Sequence, residues 1–184
     1  MGKVYLLEPI LQYLRILKVS PFFVNNGVFV DIGCDEPAVL LNTVKKNMNK
    51  CIGIDIAVSP KKYENVAIHQ QNIQKKIDLP SSIANTVTML AVLEHMEYPE
   101  QIVNESCRIL QKNGVLLITV PSPRSEPFLN IFSKLKLVRP DMIEQHHNYF
   151  SKNDLKSICK KAGFSQVYVQ GFEFGLNNFV RAVK

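Results

Sequence analysis

The chain has 184 residues, of which 46% are hydrophobic and 21% are charged, a balance typical of one globular domain rather than a disordered chain. No apolar run approaches the roughly 20 residues that a membrane-spanning helix needs, and no signal-peptide cleavage site follows the N-terminal segment. The net charge is +6, but the basic residues come as dispersed pairs, which solvated helix ends explain better than a nucleic-acid surface. The 4 cysteines lack CxxC or metal-ligand spacing, which predicts a reduced, cytoplasmic protein.

The first third of the chain predicts a helix followed by a strand–helix–strand unit. Apolar residues at positions 7, 10, 11, 14 and 17 recur at helical spacing, so an N-terminal helix is expected within residues 1–20. The apolar runs Val28–Ile32 and Cys51–Asp55 are typical of strands, and Pro37 would occupy the first turn of the helix between them. Asp31 and Asp55 lie 24 positions apart. A carboxylate at the tip of the second strand is the usual partner of a ribose diol.

The rest of the chain continues the alternation of strands and helices. Further strands are predicted at 66–69, 87–92 and 115–120, with a helix that begins at Pro99 and is closed by Asn113-Gly114. An amphipathic helix from Phe128 and a helix capped by Ser151 follow, and two closing runs at 166–170 and 178–183 can pair as a hairpin. The pattern predicts an α/β fold with a mostly parallel sheet covered on both faces.

Five segments in this order resemble a class I S-adenosylmethionine-dependent methyltransferase, of the broad group that acts on small molecules, lipids and glycans. They are VFVDIGC, GIDI, the stretch 86–123, the stretch 146–164 and the C-terminal GLNNFVRAVK. The resemblance implies a single Rossmann-like domain over 1–184 with a seven-stranded sheet in the order 3-2-1-4-5-7-6, the last strand antiparallel. It also implies S-adenosylmethionine as the cofactor and a segment at 124–150 that could act as a lid.

The resemblance places the cofactor at the carboxyl ends of the first, second and fourth strands. Asp31 and Gly33 would lie beside its methionine portion, Asp55 would accept both ribose hydroxyls, and Ile56 would pack on the adenine. The Asn72 carbonyl oxygen could accept a hydrogen bond from the adenine amino group. The implied cofactor residues are Asp31, Gly33, Cys34, Asp35, Asp55, Ile56, Asn72, Ile73 and Ala91.

The first loop departs from the Gly-x-Gly-x-Gly pattern of the family, because it reads Gly33-Cys34-Asp35-Glu36-Pro37. Asp35 tolerates a left-handed conformation, but Pro37 donates no hydrogen bond and adds bulk. Two outcomes are open: a tuned cofactor site, or a degenerate site in a non-catalytic binding protein. The same two acids would repel a pyrophosphate, which argues against a nicotinamide dinucleotide enzyme.

Methyl transfer from a sulfonium requires alignment and sometimes removal of a proton. His95, just past the fourth strand, is the best candidate base, and Glu94 beside it could orient or assist. His146, four residues before Phe150, matches a recurring family histidine near the mouth of the active site. Ala91 stands where the ubiquinone-pathway O-methyltransferases have a glutamate that helps bind a divalent metal, so no metal site is predicted.

The acceptor is indicated only broadly. After the fourth strand the chain reads Ala91-Val92-Leu93-Glu94, not the Asn/Asp-Pro-Pro-Tyr/Phe sequence of amino-methylating nucleic-acid enzymes. A small-molecule, lipid or glycan-type acceptor methylated at oxygen is therefore expected, and nucleic acid is disfavoured as a partner. An RNA methyltransferase, prompted by the positive charge, is the third alternative. The apolar helix from Phe128, with basic residues nearby, permits an amphiphilic acceptor and peripheral membrane contact.

Overall fold

A computed structural model describes residues 7–128 and 148–184. The strands are, in chain order, β1 (Val28–Ile32), β2 (Lys50–Asp55), β3 (Lys61–Tyr63), β4 (Val66–Gln70), β5 (Ala84–Leu90), β6 (Leu110–Pro121), β7 (Gln166–Phe172) and β8 (Asn177–Val183). The regular α-helices are α1 (Glu8–Val19), α2 (Val39–Val44), α3 (Pro99–Ile109) and α4 (Lys152–Lys161). None of the helices in these two ranges is long and apolar enough to cross a membrane.

All of these strands form one sheet in the order β3-β4-β2-β1-β5-β6-β8-β7. β1 is parallel to β2 and β5, and β4 and β6 continue the parallel pairing outwards. β8 is antiparallel to both of its neighbours. Without β3 this is the order 3-2-1-4-5-7-6, so the Rossmann-like class is confirmed.

The strand count differs from the prediction by one. β3 is a short edge strand that pairs antiparallel with β4. Its sequence, Lys61-Lys62-Tyr63, has no apolar alternation, so no strand is predicted there. β3 lies at the edge of the sheet, where lysine side chains are common because they discourage pairing with a further strand.

Helices cover both faces of the sheet. Successive residues of a strand point to opposite faces, and both sets are buried in the central strands. On one face the sheet packs against α3 and α4, and the strand residues of that core include Val30, Ile32, Val87, Leu116 and Ile118. On the other face Phe29 packs with α2, and Leu117 and Phe179 pack with Val19 of α1. Burial on both sides explains why these strands read as nearly continuous apolar runs.

The start of α2 differs from the prediction. Pro37 precedes the helix instead of occupying its first turn, and the Glu36–Pro37 peptide bond is cis. Ala38 then has a left-handed φ of 59°, which is incompatible with a right-handed helix. Regular helix begins only at Val39 and runs for 6 residues.

The end of α3 also differs from the prediction. The helix ends at Ile109, and β6 begins at Leu110 without an intervening loop. Asn113 has a left-handed φ of 66° and lies where the register between β5 and β6 shifts. Asn113-Gly114 therefore bends a strand rather than closing a helix.

Several other predictions are confirmed. Ser151 caps α4 in a reciprocal capping box with Asp154, and β7 and β8 form the closing hairpin. The 4 cysteines are free and buried. Most of the helix predicted from Phe128 and of the proposed lid, together with His146, lies outside the described residues.

Candidate active site

The loop after β1 is anchored to the end of β2. The Gly33 N–H donates to the Ile54 carbonyl oxygen at 2.7 Å, and the Cys34 N–H donates to the same oxygen at 3.4 Å. Gly33 has a left-handed φ of 74°, and a Cβ placed on it would lie 2.3 Å from Cγ2 of Val92. Glycine is therefore required at this turn, which runs directly beside the end of β5.

Asp55 at the end of β2 receives backbone N–H groups on both carboxylate oxygens. The Asp35 N–H donates to Oδ2 at 3.1 Å, and the Ala57 N–H donates to Oδ1 at 2.8 Å. Each oxygen of a carboxylate can accept more than one hydrogen bond, so both can still bind the hydroxyls of a diol. The adjacent Ile56 is 58% exposed and offers an apolar surface to a flat ring.

Asp31 is a buried carboxyl group at the end of β1. The Thr88 hydroxyl of β5 donates to Oδ1 of Asp31 at 2.6 Å. Burial raises the pKa of Asp31 from 3.8 to about 7, the Thr88 hydrogen bond lowers it, and the charge of Asp55 raises it. A carboxyl group that ionises near neutral pH in this position is suited to a cationic ligand, whose charge would favour the ionised form.

The acidic residues of the loop are engaged locally. Asp35 has a left-handed φ of 50°, and its Oδ1 accepts the Glu36 N–H at 2.8 Å. The Glu36 carboxylate pairs with Nζ of Lys61 at 3.0 Å. The extra strand β3 thus supplies a lysine that offsets one of the two negative charges in the altered loop.

Glu94 lies in a short 3-10 turn (Leu93–His95) that follows β5. Its side chain is buried, with the residue 1% exposed, and its Oε2 atom has no hydrogen-bond partner within the described residues. Burial raises the pKa of Glu94 to about 7, while its own backbone N–H and the charge of Arg15 lower it. His95 is partly exposed at the end of the same turn. The turn that carries Glu94 and His95 therefore follows directly after Val92, the residue beyond β5 that packs beside Gly33.

The comparisons with known proteins agree with this geometry. A family model described as a methyltransferase domain matches residues 10–169, which is most of the chain. The chain belongs to this methyltransferase family. The class expected from the sequence, an S-adenosylmethionine-dependent methyltransferase with a Rossmann-like sheet, is therefore confirmed. No relative was found among curated proteins.

Solved methyltransferase structures share the fold at low sequence identity. A possible histamine N-methyltransferase from Thermotoga maritima is 19% identical, with a TM-score of 0.68, and the match covers 95% of this chain and 90% of that chain. An Archaeoglobus fulgidus methyltransferase is 16% identical, with a TM-score of 0.68 and coverage of 96% and 94%. A Mesorhizobium loti methyltransferase is 13% identical, with a TM-score of 0.67 and coverage of 97% of both chains.

The residues of this methyltransferase fit S-adenosylmethionine, which carries a ribose diol, a flat adenine and two positive charges. Asp55 keeps acceptor capacity for the diol, and exposed Ile56 lies directly after it. Among the described residues, the one charged neighbour that affects the pKa of Asp31 is the like-charged Asp55. A cationic ligand would therefore offset the cost of ionising Asp31.

Three of the other four predicted cofactor residues have surroundings that differ from the prediction. Cys34 is buried against Gly53, where an added Cβ would lie 2.8 Å from its Sγ, and burial raises the pKa of its thiol to about 12. It therefore packs the loop onto β2 as an unreactive thiol. Ile73 is buried in the core, and Asn72 is exposed with its Oδ1 3.4 Å from Nε2 of Gln74.

The remaining predicted cofactor residue, Ala91, follows β5 with a left-handed φ of 57°. Its N–H donates to the Thr119 carbonyl oxygen of β6 at 2.8 Å. This bond holds the chain at the turn that leads into Glu94 and His95. Within the described residues, no group of three side chains could hold a metal ion.

Some polar residues near Glu94 carry no sequence signal. Arg15 lowers the pKa of both Glu94 and Glu173, so its guanidinium group lies within electrostatic reach of both carboxyl groups. Burial raises the pKa of Tyr149, and the charges of Glu126 and Glu94 raise it further. These residues come from segments far apart in the sequence, so spacing does not reveal their proximity. The Asn177-Asn178 pair at the start of β8 is the one hint, as two polar residues at the end of a buried strand.

Proposed function

We propose that this methyltransferase transfers a methyl group from S-adenosylmethionine to an oxygen of a small-molecule, lipid or glycan-type acceptor. The observation that carries this proposal is the buried Glu94 carboxyl, whose Oε2 atom has no partner among the described residues and whose pKa burial raises to about 7. A general base works best when its pKa lies near the operating pH. When bound, S-adenosylmethionine supplies a methyl group on a positively charged sulfur.

Each candidate residue has a defined task. Asp55 binds the ribose diol, and Asp31 balances positive charge beside the loop of Gly33. Glu94 accepts the proton of the acceptor hydroxyl, and His95 orients the acceptor or shares that proton. The left-handed turns at Gly33 and Ala91 hold these groups at one edge of the sheet, and this fixed alignment lowers the entropic part of the barrier.

The acceptor class rests on weaker observations. The Ala91-Val92-Leu93-Glu94 segment lacks the sequence of amino-methylating nucleic-acid enzymes, which argues against an RNA acceptor. The Thermotoga neighbour is described as a possible histamine N-methyltransferase, so amines belong in any screen beside alcohols. We also propose a cytoplasmic location, which the 4 free cysteines favour, with peripheral membrane contact for a lipid acceptor.

The test is turnover. The full chain is incubated with S-adenosylmethionine and matched panels of alcohols and amines, and formation of S-adenosylhomocysteine is measured. Glu94→Gln keeps the shape but removes the base, so it should lower kcat by about 100-fold or more. Glu97→Gln, at an exposed position three residues away, is the control and should retain activity.

Two results would count against the proposal. Unchanged turnover in Glu94→Gln would remove Glu94 as the base. Binding of S-adenosylhomocysteine without turnover of any acceptor would favour the alternative, a non-catalytic binding protein with a methyltransferase fold.

A further inference from the structure

Four polar residues from separate elements lie near the carboxyl edge of the sheet. We call them the acceptor cluster: Arg15 of α1, Glu94 after β5, Glu173 in the turn between β7 and β8, and Asn177 at the start of β8. The Asn177 side-chain amide donates to Oε2 of Glu173. The positive charge of Arg15 lowers the pKa of both carboxyl groups, so Arg15 lies within electrostatic reach of each.

The packing of α1 explains how Arg15 reaches this edge. Val19 of α1 is fully buried against Leu117 and Phe179. Arg15 lies one helical turn before Val19, and helical side chains lean toward the N-terminus of their helix. On the same face of β6, Pro121 comes two pleats after Leu117 and pairs with Asn177. The acceptor cluster therefore lies next to the apolar contact of α1, nearer the carboxyl edge of the sheet.

Three buried acceptor atoms of the cluster lack hydrogen-bond partners within the described residues. They are Oε2 of Glu94, Oε1 of Glu173 and Oδ1 of Asn177. A buried polar atom without a partner is destabilising, and such atoms are uncommon in folded proteins. Glu94 is only 1% exposed, so bulk water does not satisfy its carboxylate. Nε of Arg15, a donor, also lacks a partner within the described residues. Three unpaired acceptors against one unpaired donor point to a ligand that donates more hydrogen bonds than it accepts.

The charge of the cluster also indicates a ligand, and one that is positively charged. The cluster contains one guanidinium group and two carboxyl groups, so its net charge is −1 when both carboxyl groups are ionised. Burial raises the pKa of Glu94 and of Glu173, and the charge of Arg15 opposes that rise at each. One more positive charge would balance the cluster.

We propose that the acceptor cluster binds a primary ammonium group of the methyl acceptor. A primary ammonium carries three N–H donors and one positive charge, which match the three free acceptor atoms and the missing charge. The inference rests on the proposed function and narrows its substrate class to small molecules that carry both a hydroxyl and a primary amine, as amino alcohols and amino sugars do. Glu173 and Asn177 anchor the amine, and the Glu94 carboxylate accepts hydrogen bonds both from the ammonium and from the hydroxyl that is methylated.

Matched probes test this proposal on the full chain saturated with S-adenosylhomocysteine. Ligand-observed NMR titrations compare 2-aminoethanol with ethylene glycol, and glucosamine with glucose. We expect each amine to bind at least about tenfold more tightly than its matched alcohol, as one buried charge interaction would give. Equal binding within the pairs, or no binding of the amines, would overturn the proposal.

Two variants separate recognition from folding. Glu173→Gln removes one negative charge and should abolish the amine preference. Glu100→Gln, an exposed change on α3, should leave the preference intact.

The proposed function fails separately from this inference. If the wild-type chain does not bind S-adenosylhomocysteine in the first titration, the cofactor assignment is wrong. If it binds S-adenosylhomocysteine but shows no amine preference, only the acceptor cluster is wrong.

Discussion

Replacing Asp31 with asparagine should stabilise the protein at alkaline pH and have little effect at acidic pH. Asp31 is buried, and its pKa is raised from 3.8 to about 7, chiefly by burial. Between these values the folded state binds a proton that the unfolded state has released, so stability falls as pH rises. The penalty is absent below the unfolded pKa and complete above the folded one. Asparagine retains the oxygen that accepts the Thr88 hydroxyl and has no charge to bury.

The size of the change in the free energy of unfolding follows from the raised pKa of Asp31. At pH 8 a shift of about three pKa units corresponds to about 4 kcal/mol of lost stability, and at pH 5 the same carboxyl costs less than half of that. The variant should therefore gain roughly 2 to 3 kcal/mol over wild type between pH 5 and pH 8. Any fixed cost of burying the new amide cancels in this difference.

Urea unfolding of wild type and Asp31→Asn at pH 5, 6.5 and 8, without cofactor, measures the effect. Asp78→Asn, at an exposed position, is the matched control and should show no such gain. A free-energy difference between Asp31→Asn and wild type that stays constant over this range would refute the burial argument.

Two further predictions concern the same edge of the sheet. Thr88→Val removes the hydroxyl that donates to Asp31, so it should raise the pKa of Asp31 further and lower the free energy of unfolding at pH 8 by about 1–3 kcal/mol; equal effects at pH 5 and pH 8 would contradict this. Gly33→Ala places a Cβ 2.3 Å from the Val92 side chain at a left-handed φ, so it should lower the thermal midpoint and weaken S-adenosylhomocysteine binding. Val92→Ala in the same chain should restore part of both losses, and failure of this rescue would show that contact with Val92 is not the cause.

The fold could be predicted where local sequence and burial agree. The central strands are buried on both faces, so β1 and β6 read as apolar runs that identify them without tertiary information. β3 could not be found, because Lys61-Lys62-Tyr63 is a short edge strand without apolar alternation that pairs only with β4. The predicted start of α2 was wrong because proline is compatible both with the first turn of a helix and with the loop before it. The left-handed conformation of Ala38 places Pro37 in the loop.

The candidate site also contains residues that the sequence predicts and residues that only the tertiary structure reveals. Gly33 and Asp55 follow from strand ends and their spacing, and the structure brings them to one edge of the sheet. Glu173 and Arg15 follow from no motif, because only the packing of α1 brings Arg15 within electrostatic reach of both Glu94 and Glu173. The lysine that pairs with Glu36 comes from the unpredicted strand β3. Contacts between distant segments could therefore not be predicted from the sequence.

The most direct test of the account is calorimetric titration of the full chain with S-adenosylhomocysteine, comparing wild type with Asp55→Ala. We expect micromolar binding by wild type and a loss of about 100-fold or more in Asp55→Ala, the value of two hydrogen bonds to a charged acceptor. Glu64→Ala removes an exposed carboxylate that pairs with Lys45 and should bind like wild type, with folding of all three proteins verified by circular dichroism. No binding by the folded wild-type protein, or equal binding by Asp55→Ala, would contradict the assignment of this edge as the cofactor site.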